Sequence, residues 1–174
     1  MEFLTALIFL SSYNLFGPTP ESIIYMLFSS ALLAVTFIDL DHMIIPDAIT
    51  LPAIPIGIFL AWLILPVTLS SSIYGFIAGA GLFFILALLV PGGMGGGDIK
   101  LIGMIGAFLG LKSVLFTIFL GSFLGSIIGI ISIALFGKNR KSKIPFGPFL
   151  AIGALLSLFY DEFLTDFYIQ FFVN

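Results

Sequence analysis

The chain has no cysteine and very little charge. The absence of Cys among its 174 residues removes disulfide scaffolds, zinc–thiolate sites, iron–sulfur ligation and thiol catalysis. Charged residues make up 9% of the chain, against about 25% in a typical soluble domain. The formal net charge is −3, and because phosphate binding needs a concentrated basic face, the composition argues against a nucleic-acid partner.

Apolar residues dominate what is there. They form 60% of the chain, with a mean hydropathy of +1.27, and they occur in runs approaching the roughly 20 residues that cross a bilayer as a helix. We therefore predict an all-α, polytopic transmembrane helical bundle of about six or seven spans, with residues 1–174 forming a single domain. The predicted spans are 2–16, 22–39, 50–66, 73–91, 99–111, 113–136 and 147–160.

The basic residues predict the orientation of the bundle. Cytoplasmic loops carry an excess of Lys and Arg, and four of the six basic residues crowd the loop 137–143. Counting spans back from that loop puts the 39–49 and 91–98 segments on the same, cytoplasmic side. The acidic tail, with Asp161, Glu162 and Asp166, is expected outside.

Glycines at four-residue spacing predict one close helix contact. Gly121, Gly125 and Gly129 lie in the sixth predicted span. Small residues at this spacing allow two helices in a membrane to approach closely.

Polar groups gather in two segments on the predicted cytoplasmic side. The first runs from Phe37 to Asp47 and contains Asp39, Asp41, His42 and Asp47. Asp39 closes an apolar helix, where it faces the negative end of the helix dipole. Asp47 follows Pro46, which suits an N-cap or a turn. Ionisable groups at membrane depth are costly and tend to be functional.

The second polar segment is the glycine run that ends in Asp98 and Lys100. Such a run cannot form a stable helix interior, and it lets another backbone approach closely. Asp98 opens the next helix, where the dipole favours a carboxylate. Asp39 and Asp98 are therefore expected in opposite electrostatic settings.

Two carboxylates of this kind can perform aspartic-protease chemistry without a metal or a cofactor. One activates a water molecule while the other supplies a proton. The pair forms only if the spans that carry Asp39 and Asp98 are neighbours. Each residue also has a plainer interpretation: Asp98 suits an N-cap, Asp41 and Asp47 suit loop caps or solvated positions, and Lys100 suits either snorkelling to the membrane surface or pairing with an Asp. His42 suits interfacial hydrogen bonding, and metal ligation with Asp39, Asp41 and Asp47 is the less favoured alternative.

Three segments together resemble the type IV prepilin peptidases, which are membrane aspartic peptidases with a Gly-x-Gly-Asp motif. They are FIDLDHMIIPDAITLP (Phe37–Pro52), GMGGGDIKL (Gly93–Leu101) and IPFGPFLAIGA (Ile144–Ala154). Their order and spacing also fit that family.

The resemblance implies a catalytic pair, Asp39 and Asp98, and a substrate class. The substrate would be a prepilin or pseudopilin, cut after a Gly between its basic leader and its apolar helix, at the cytoplasmic face of the bacterial inner membrane. No cofactor is implied. The residues expected to support the site or bind the substrate are Asp41, His42, Asp47, Gly95, Gly97, Lys100, Pro145 and Gly147.

One departure from the family pattern concerns the N-terminal region. Many members carry an insertion with paired CxxC motifs that is associated with methylation of the new N-terminus, and this chain contains neither. It is expected to be either a short, peptidase-only form or a portion of a longer protein, and no methyltransferase activity is expected of it.

Two other classes of function remain as alternatives. Buried Asp residues beside a glycine-broken helix also suit a proton-coupled transporter, although the acids cluster at one face and the outer halves of the spans are apolar. A structural or assembly subunit is the third class, and the presence of both Asp residues argues against it.

Overall fold

The computed structural model describes residues 2–90, 93–136 and 145–160, and within these ranges every regular element is a helix. The predicted all-α class is therefore confirmed. The predicted basic loop 137–143 and the acidic tail after Tyr160 lie outside the described residues. The helices are α1 (Glu2–Phe16), α2 (Pro20–His42), α3 (Asp47–Leu63), α4 (Leu69–Leu89), α5 (Gly96–Phe136) and α6 (Gly147–Phe159).

Local capping determines where several of these helices begin and end. The Thr19 hydroxyl accepts a hydrogen bond from Ser22 N–H at the start of α2, and Pro20 occupies the first turn, where no N–H is needed. α2 ends at Met43, whose backbone is left-handed with φ 55° and whose N–H donates to the Asp39 carbonyl. This cap turns the chain into a short connector, 43–46, which leads to α3.

The long helix α5 reverses direction at Gly110. Gly110 has φ 82° and ψ −177°, which is not helical, and only glycine adopts that conformation readily. A Cβ atom on Gly79 of α4 would contact both Ile102 and Val114, which would be about 18 Å apart in a straight helix. Residues 96–109 and 111–136 are therefore two antiparallel arms, and the predicted break between 111 and 113 lies at Gly110.

The first arm of α5 forms the centre of the bundle. Its side chains Leu101, Ile102, Met104 and Ile105 are fully buried, because α3 and α4 pack against α5 and α6 packs against its second arm. Burial of apolar side chains at this density is the main stabilising contribution within the bundle.

Helix α6 packs along the second arm through glycines, as the spacing predicted. A Cβ atom on Gly121 would lie 3.1 Å from Leu150 Cδ2, and one on Gly125 would lie 3.1 Å from Phe146 Cε2. On the α6 side, a Cβ atom on Gly153 would lie 3.0 Å from the Thr117 carbonyl oxygen. The two helices therefore approach as closely as small residues permit.

The outer surface of the bundle is apolar. Side chains such as Leu27, Phe59 and Phe119 are more than half exposed, and large exposed apolar surfaces are typical of contact with lipid. The stretches Pro20–His42, Leu69–Leu89 and Gly96–Ser132 are long and apolar enough to cross a membrane, and the reversal at Gly110 divides the last of them into two shorter arms. The chain is thus a multi-pass membrane protein.

Candidate active site

Three chain segments far apart in sequence meet at one end of the bundle: the 43–46 connector, the turn before α5 and the start of α6. The connector and the start of α5 lie at the same end, because a Cβ atom on Gly97 would lie 2.7 Å from Ile45 Cβ and Lys100 is paired with Asp47. The contact between Gly147 and Asp39 brings the start of α6 to that end as well.

Asp39 lies in the last turn of α2 and is buried, with 5% of its surface exposed. Its Oδ2 accepts a hydrogen bond of 2.9 Å from the backbone N–H of Gly147. Gly147 is the first residue of α6, so this N–H is one of those that lack a partner within the helix. The approach is close: a Cβ atom on Gly147 would lie 2.7 Å from Asp39 Oδ2.

The contact with α6 corrects the predicted contrast between the two acids. From sequence, Asp39 was expected to face only the unfavourable C-terminal end of its own helix. In the fold it also faces the N-terminal end of α6, where the dipole favours negative charge. Both carboxylates therefore lie at the N-terminus of a helix, Asp39 at that of α6 and Asp98 at that of α5.

Asp98 lies in the first turn of α5, as predicted. Its Oδ2 accepts a hydrogen bond of 3.2 Å from Gly95 N–H, and its own N–H donates to the Gly95 carbonyl at 3.2 Å. A side chain that reaches back to the residue before the helix is half of a capping box.

Ile45 separates the backbone segments that hold the two carboxylates. It is buried, and a Cβ atom on Gly97 would lie 2.7 Å from Ile45 Cβ, while one on Gly147 would lie 3.4 Å from Ile45 Cδ1. Sequence analysis did not single out Ile45. The sequence pattern that could have identified Ile45 was weak. Ile45 is an apolar residue directly before Pro46, in a connector between the polar residues at the end of α2 and Asp47.

Asp47 and Lys100 form an ion pair between α3 and α5. Lys100 Nζ lies 2.7 Å from both carboxylate oxygens of Asp47, and their side chains are 55% and 34% exposed, respectively. The predicted pairing of Lys100 with an Asp is therefore confirmed. The suggestion that Asp47 is an N-cap is wrong: Pro46 occupies that position and Asp47 is the first helical residue.

The remaining predicted residues lie around this end of the bundle. Asp41 and His42 are exposed at the end of α2, and Pro145 is half-buried just before α6. Within the described part of the chain, no group of three or more His, Asp or Glu residues lies close enough together to hold a metal ion.

A groove elsewhere in the bundle is separate from this chemistry. It has a volume of about 240 Å³, lies between α2 and α3, and is lined by apolar side chains including Ala31, Pro52 and Met104. Cavities are the usual first indication of an active site. Here the lining holds no titratable group, so the carboxylates identify the candidate site.

The fold and the site together define a class: a polytopic helical membrane protein with two acidic side chains, supplied by different helices, close together at one end of the bundle. Comparison of the sequence identifies the family. The profile of the Type IV leader peptidase family matches residues 26–130, a range that contains both Asp39 and Asp98, and the chain belongs to that family.

Individual relatives agree with the family match. The prepilin leader peptidase/N-methyltransferase of Pseudomonas aeruginosa is 35% identical over 161 residues, covering 90% of this chain and 56% of the relative. Proteins of the same name from Aeromonas hydrophila and Legionella pneumophila are each 34% identical, covering 97% of this chain and 60% and 61% of the relatives. The chain thus spans about 60% of the length of these curated relatives. No solved structure gives a significant match.

Proposed function

We propose that this chain is a membrane aspartic endopeptidase that removes the short basic leader from type IV prepilins or pseudopilins. The observation that carries the proposal is that Asp39 and Asp98 lie at one end of an apolar bundle, where Ile45 contacts the backbone beside each of them. Two carboxylates in such surroundings are expensive for the fold, which favours a functional role. Membership of the leader peptidase family supports the same activity.

In the proposed mechanism, the two carboxyl groups share one proton. The ionised member takes a proton from a water molecule, which attacks the scissile carbonyl, and the protonated member supplies a proton to the leaving amine. The hydrogen bonds from Gly147 and Gly95 each use one carboxylate oxygen. The other oxygen of each Asp therefore remains for water and substrate, and neither a metal nor a cofactor takes part.

We place the reaction at the cytoplasmic face of the bacterial inner membrane. This orientation rests on the basic loop 137–143, which the positive-inside rule assigns to the cytoplasm. The apolar helix of the substrate then lies in the lipid beside the bundle while its basic leader stays in the cytoplasm. Asp41, which is exposed two residues after Asp39, supplies negative charge to attract that leader. Substrates of this kind belong to type IV pili and to related protein secretion machinery.

The proposal covers leader cleavage only. The relatives named above carry both peptidase and N-methyltransferase in their names, and this chain spans about 60% of their length. We assign no methylation step to the residues present here.

The decisive experiment is cleavage of a prepilin in membranes by wild type, Asp39→Asn and Asp98→Asn. Asparagine keeps an acceptor oxygen for Gly147 or Gly95 N–H but cannot exchange a proton. Each variant should lose about a thousandfold or more in rate, while insertion and thermal midpoint remain close to wild type. Asp41→Asn is the matched comparison, because Asp41 is exposed: its turnover number should persist, with any effect confined to KM.

Two results would contradict the proposal in different ways. Near wild-type cleavage by either Asn variant would remove that residue from the catalytic pair and turn attention to Asp41 or Asp47. Failure of the folded wild-type protein to cut any prepilin would remove the peptidase function itself and favour proton-coupled transport.

A further inference from the structure

The connector 43–46 is attached at both ends to the segments that carry the two acids. At its start, Met43 N–H donates to the backbone carbonyl of Asp39 at 2.9 Å. Just past its end, Asp47 is paired through both oxygens with Lys100, two residues beyond Asp98 on α5. The connector therefore bridges the Asp39 helix and the Asp98 helix directly.

Ile45 is the part of the connector that points into the interior. It is 8% exposed, whereas its neighbour Ile44 is 61% exposed. Its Cβ lies against Gly97, the residue before Asp98, and its Cδ1 lies against Gly147, which donates to Asp39. One side chain thus contacts the backbone next to each carboxylate.

We infer that Ile45 is a positioning residue that sets the separation of Asp39 and Asp98. This inference rests on the proposed function for its catalytic meaning, although the spacing itself can be measured without activity. A β-branched side chain suits the role because its χ1 angle is strongly restricted. Both contact points are glycines, Gly97 and Gly147, so neither has a side chain that could move to compensate for a change at Ile45.

The loss of reaction rate expected when the Ile45 side chain is shortened follows from the geometry of the reaction. A displacement of about 1 Å at reacting groups can reduce a rate by about a hundredfold. Truncation of a buried side chain leaves space into which its neighbours relax only partly. Ile45→Ala should therefore change where the carboxylates stand, while the substrate-binding surface stays in place.

The first test compares turnover of Ile45→Val, Ile45→Ala and the control Ile44→Ala. Ile45→Val keeps the Cβ contact with Gly97 but loses Cδ1 beside Gly147, so kcat should fall modestly, by about threefold. Ile45→Ala should lower kcat by at least about tenfold with KM within about twofold of wild type. Ile44→Ala should leave both unchanged, because its side chain is exposed.

The second test measures the spacing without relying on activity. The chain has no Cys, so spin labels can be attached only at introduced positions. Leu40→Cys and Gly96→Cys flank the two acids at an exposed side chain and at a glycine with no atoms within 4 Å of a built Cβ. Pulsed electron paramagnetic resonance should show the distance between the labels shifted or clearly broadened in the Ile45→Ala background, because neighbouring groups relax partly into the vacated space, and unchanged in the Ile44→Ala background.

The two tests separate failure of the inference from failure of the proposed function. If the label distances in Ile45→Ala and Ile44→Ala match wild type, Ile45 is not a spacer, whatever the enzyme cleaves. If Ile45→Ala alters the distance while folded wild type cuts no prepilin, the spacer stands and the peptidase function falls. A rise in KM with unchanged kcat in Ile45→Ala would also overturn the inference, because it would place Ile45 in substrate binding.

Discussion

At the two ends of the bundle, backbone groups are hydrogen-bonded by different kinds of side chain, serines at one end and aspartates at the other. At the end where α5 reverses, serine hydroxyls of α4 bind backbone groups of α5: Ser71 Oγ accepts from Leu111 N–H at 3.1 Å, and Ser72 Oγ donates to the Ala107 carbonyl at 2.6 Å. At the opposite end, carboxylates bind backbone N–H groups: Asp39 accepts a hydrogen bond from Gly147 N–H, and Asp98 accepts one from Gly95 N–H.

This difference separates what the fold requires from what the function requires. A backbone N–H at a helix end needs only an acceptor oxygen, and a neutral hydroxyl supplies one at little cost. An ionised carboxylate near lipid carries a much larger desolvation penalty. The carboxylates at the site end therefore exceed the needs of the fold, which is consistent with a catalytic role.

Glycines permit close contacts in both regions, but the atoms that they contact differ. Gly75 and Gly106 face each other where α4 crosses the first arm of α5, and a Cβ atom on either would collide with the other's backbone. At the site end, a Cβ atom on Gly97 or Gly147 would meet a side chain instead, Ile45 or Asp39. Alanine at Gly75 or Gly106 should therefore damage folding, and alanine at Gly97 or Gly147 should damage activity first.

The largest effect should come from Gly110→Ala at the reversal. Alanine is strained at φ 82° and ψ −177°, and its Cβ would lie 2.5 Å from Ser71 Oγ. Backbone strain and overpacking together should cost about 3 kcal/mol or more. Thermal unfolding in detergent, followed by circular dichroism, should show a large fall in midpoint or no folded protein.

Gly81→Ala in α4 is the matched control for this prediction. A Cβ atom on Gly81 meets nothing within 4 Å, and alanine favours a helix interior by about 0.5–1 kcal/mol. Its midpoint should be equal to or above that of wild type. An equally stable Gly110→Ala protein would mean that the reversal does not depend on glycine.

An intermediate effect, on activity rather than folding, should come from Gly147→Ala. The new methyl group would lie 2.7 Å from Asp39 Oδ2, so the carboxylate must move from its position at the start of α6. Cleavage should fall by about a hundredfold with a comparatively small change in thermal midpoint. Gly96→Ala, where a Cβ atom has open space, should cleave normally. Equal cleavage rates for Gly147→Ala and wild type would show that catalysis does not depend on the contact between Gly147 and Asp39.

The smallest effect should come from the Asp47–Lys100 pair. Both side chains are at least one-third exposed, and exposed ion pairs contribute about 1 kcal/mol or less. Lys100→Met and Asp47→Asn should each lower the cleavage rate by at most about tenfold, and the double variant should be no worse than either single one. Strictly multiplicative losses would show that the two residues act separately.

Much of the secondary structure could be predicted from local patterns. Apolar runs separated by Pro, Gly and polar clusters predicted the helices, the break near Gly110, and the places of Asp39 in a last turn and Asp98 in a first turn. These features depend on hydropathy and on backbone preferences within a few residues. The spacing of Gly121 and Gly125 likewise predicted a close helix contact, because such spacing puts both on one helix face.

Contacts between distant segments could not be predicted in this way. The sequence placed Asp39 at the end of its own helix, suggested Asp47 as a cap or a turn residue, implied Gly147 near the site only through the family resemblance, and gave no role to Ile45. Helix packing decides the bond from Gly147 to Asp39, the choice of Asp47 as the partner of Lys100, and the position of Ile45 between two glycines.

The sequence by itself determined that this protein is a bundle of membrane helices with acidic residues at its helix ends, because hydropathy and helix-breaking residues act locally. Only the tertiary structure decided which helix end faces each acid and what separates the two acids. Those outcomes depend on the crossing of α2, α5 and α6, and no single segment of the chain encodes that crossing.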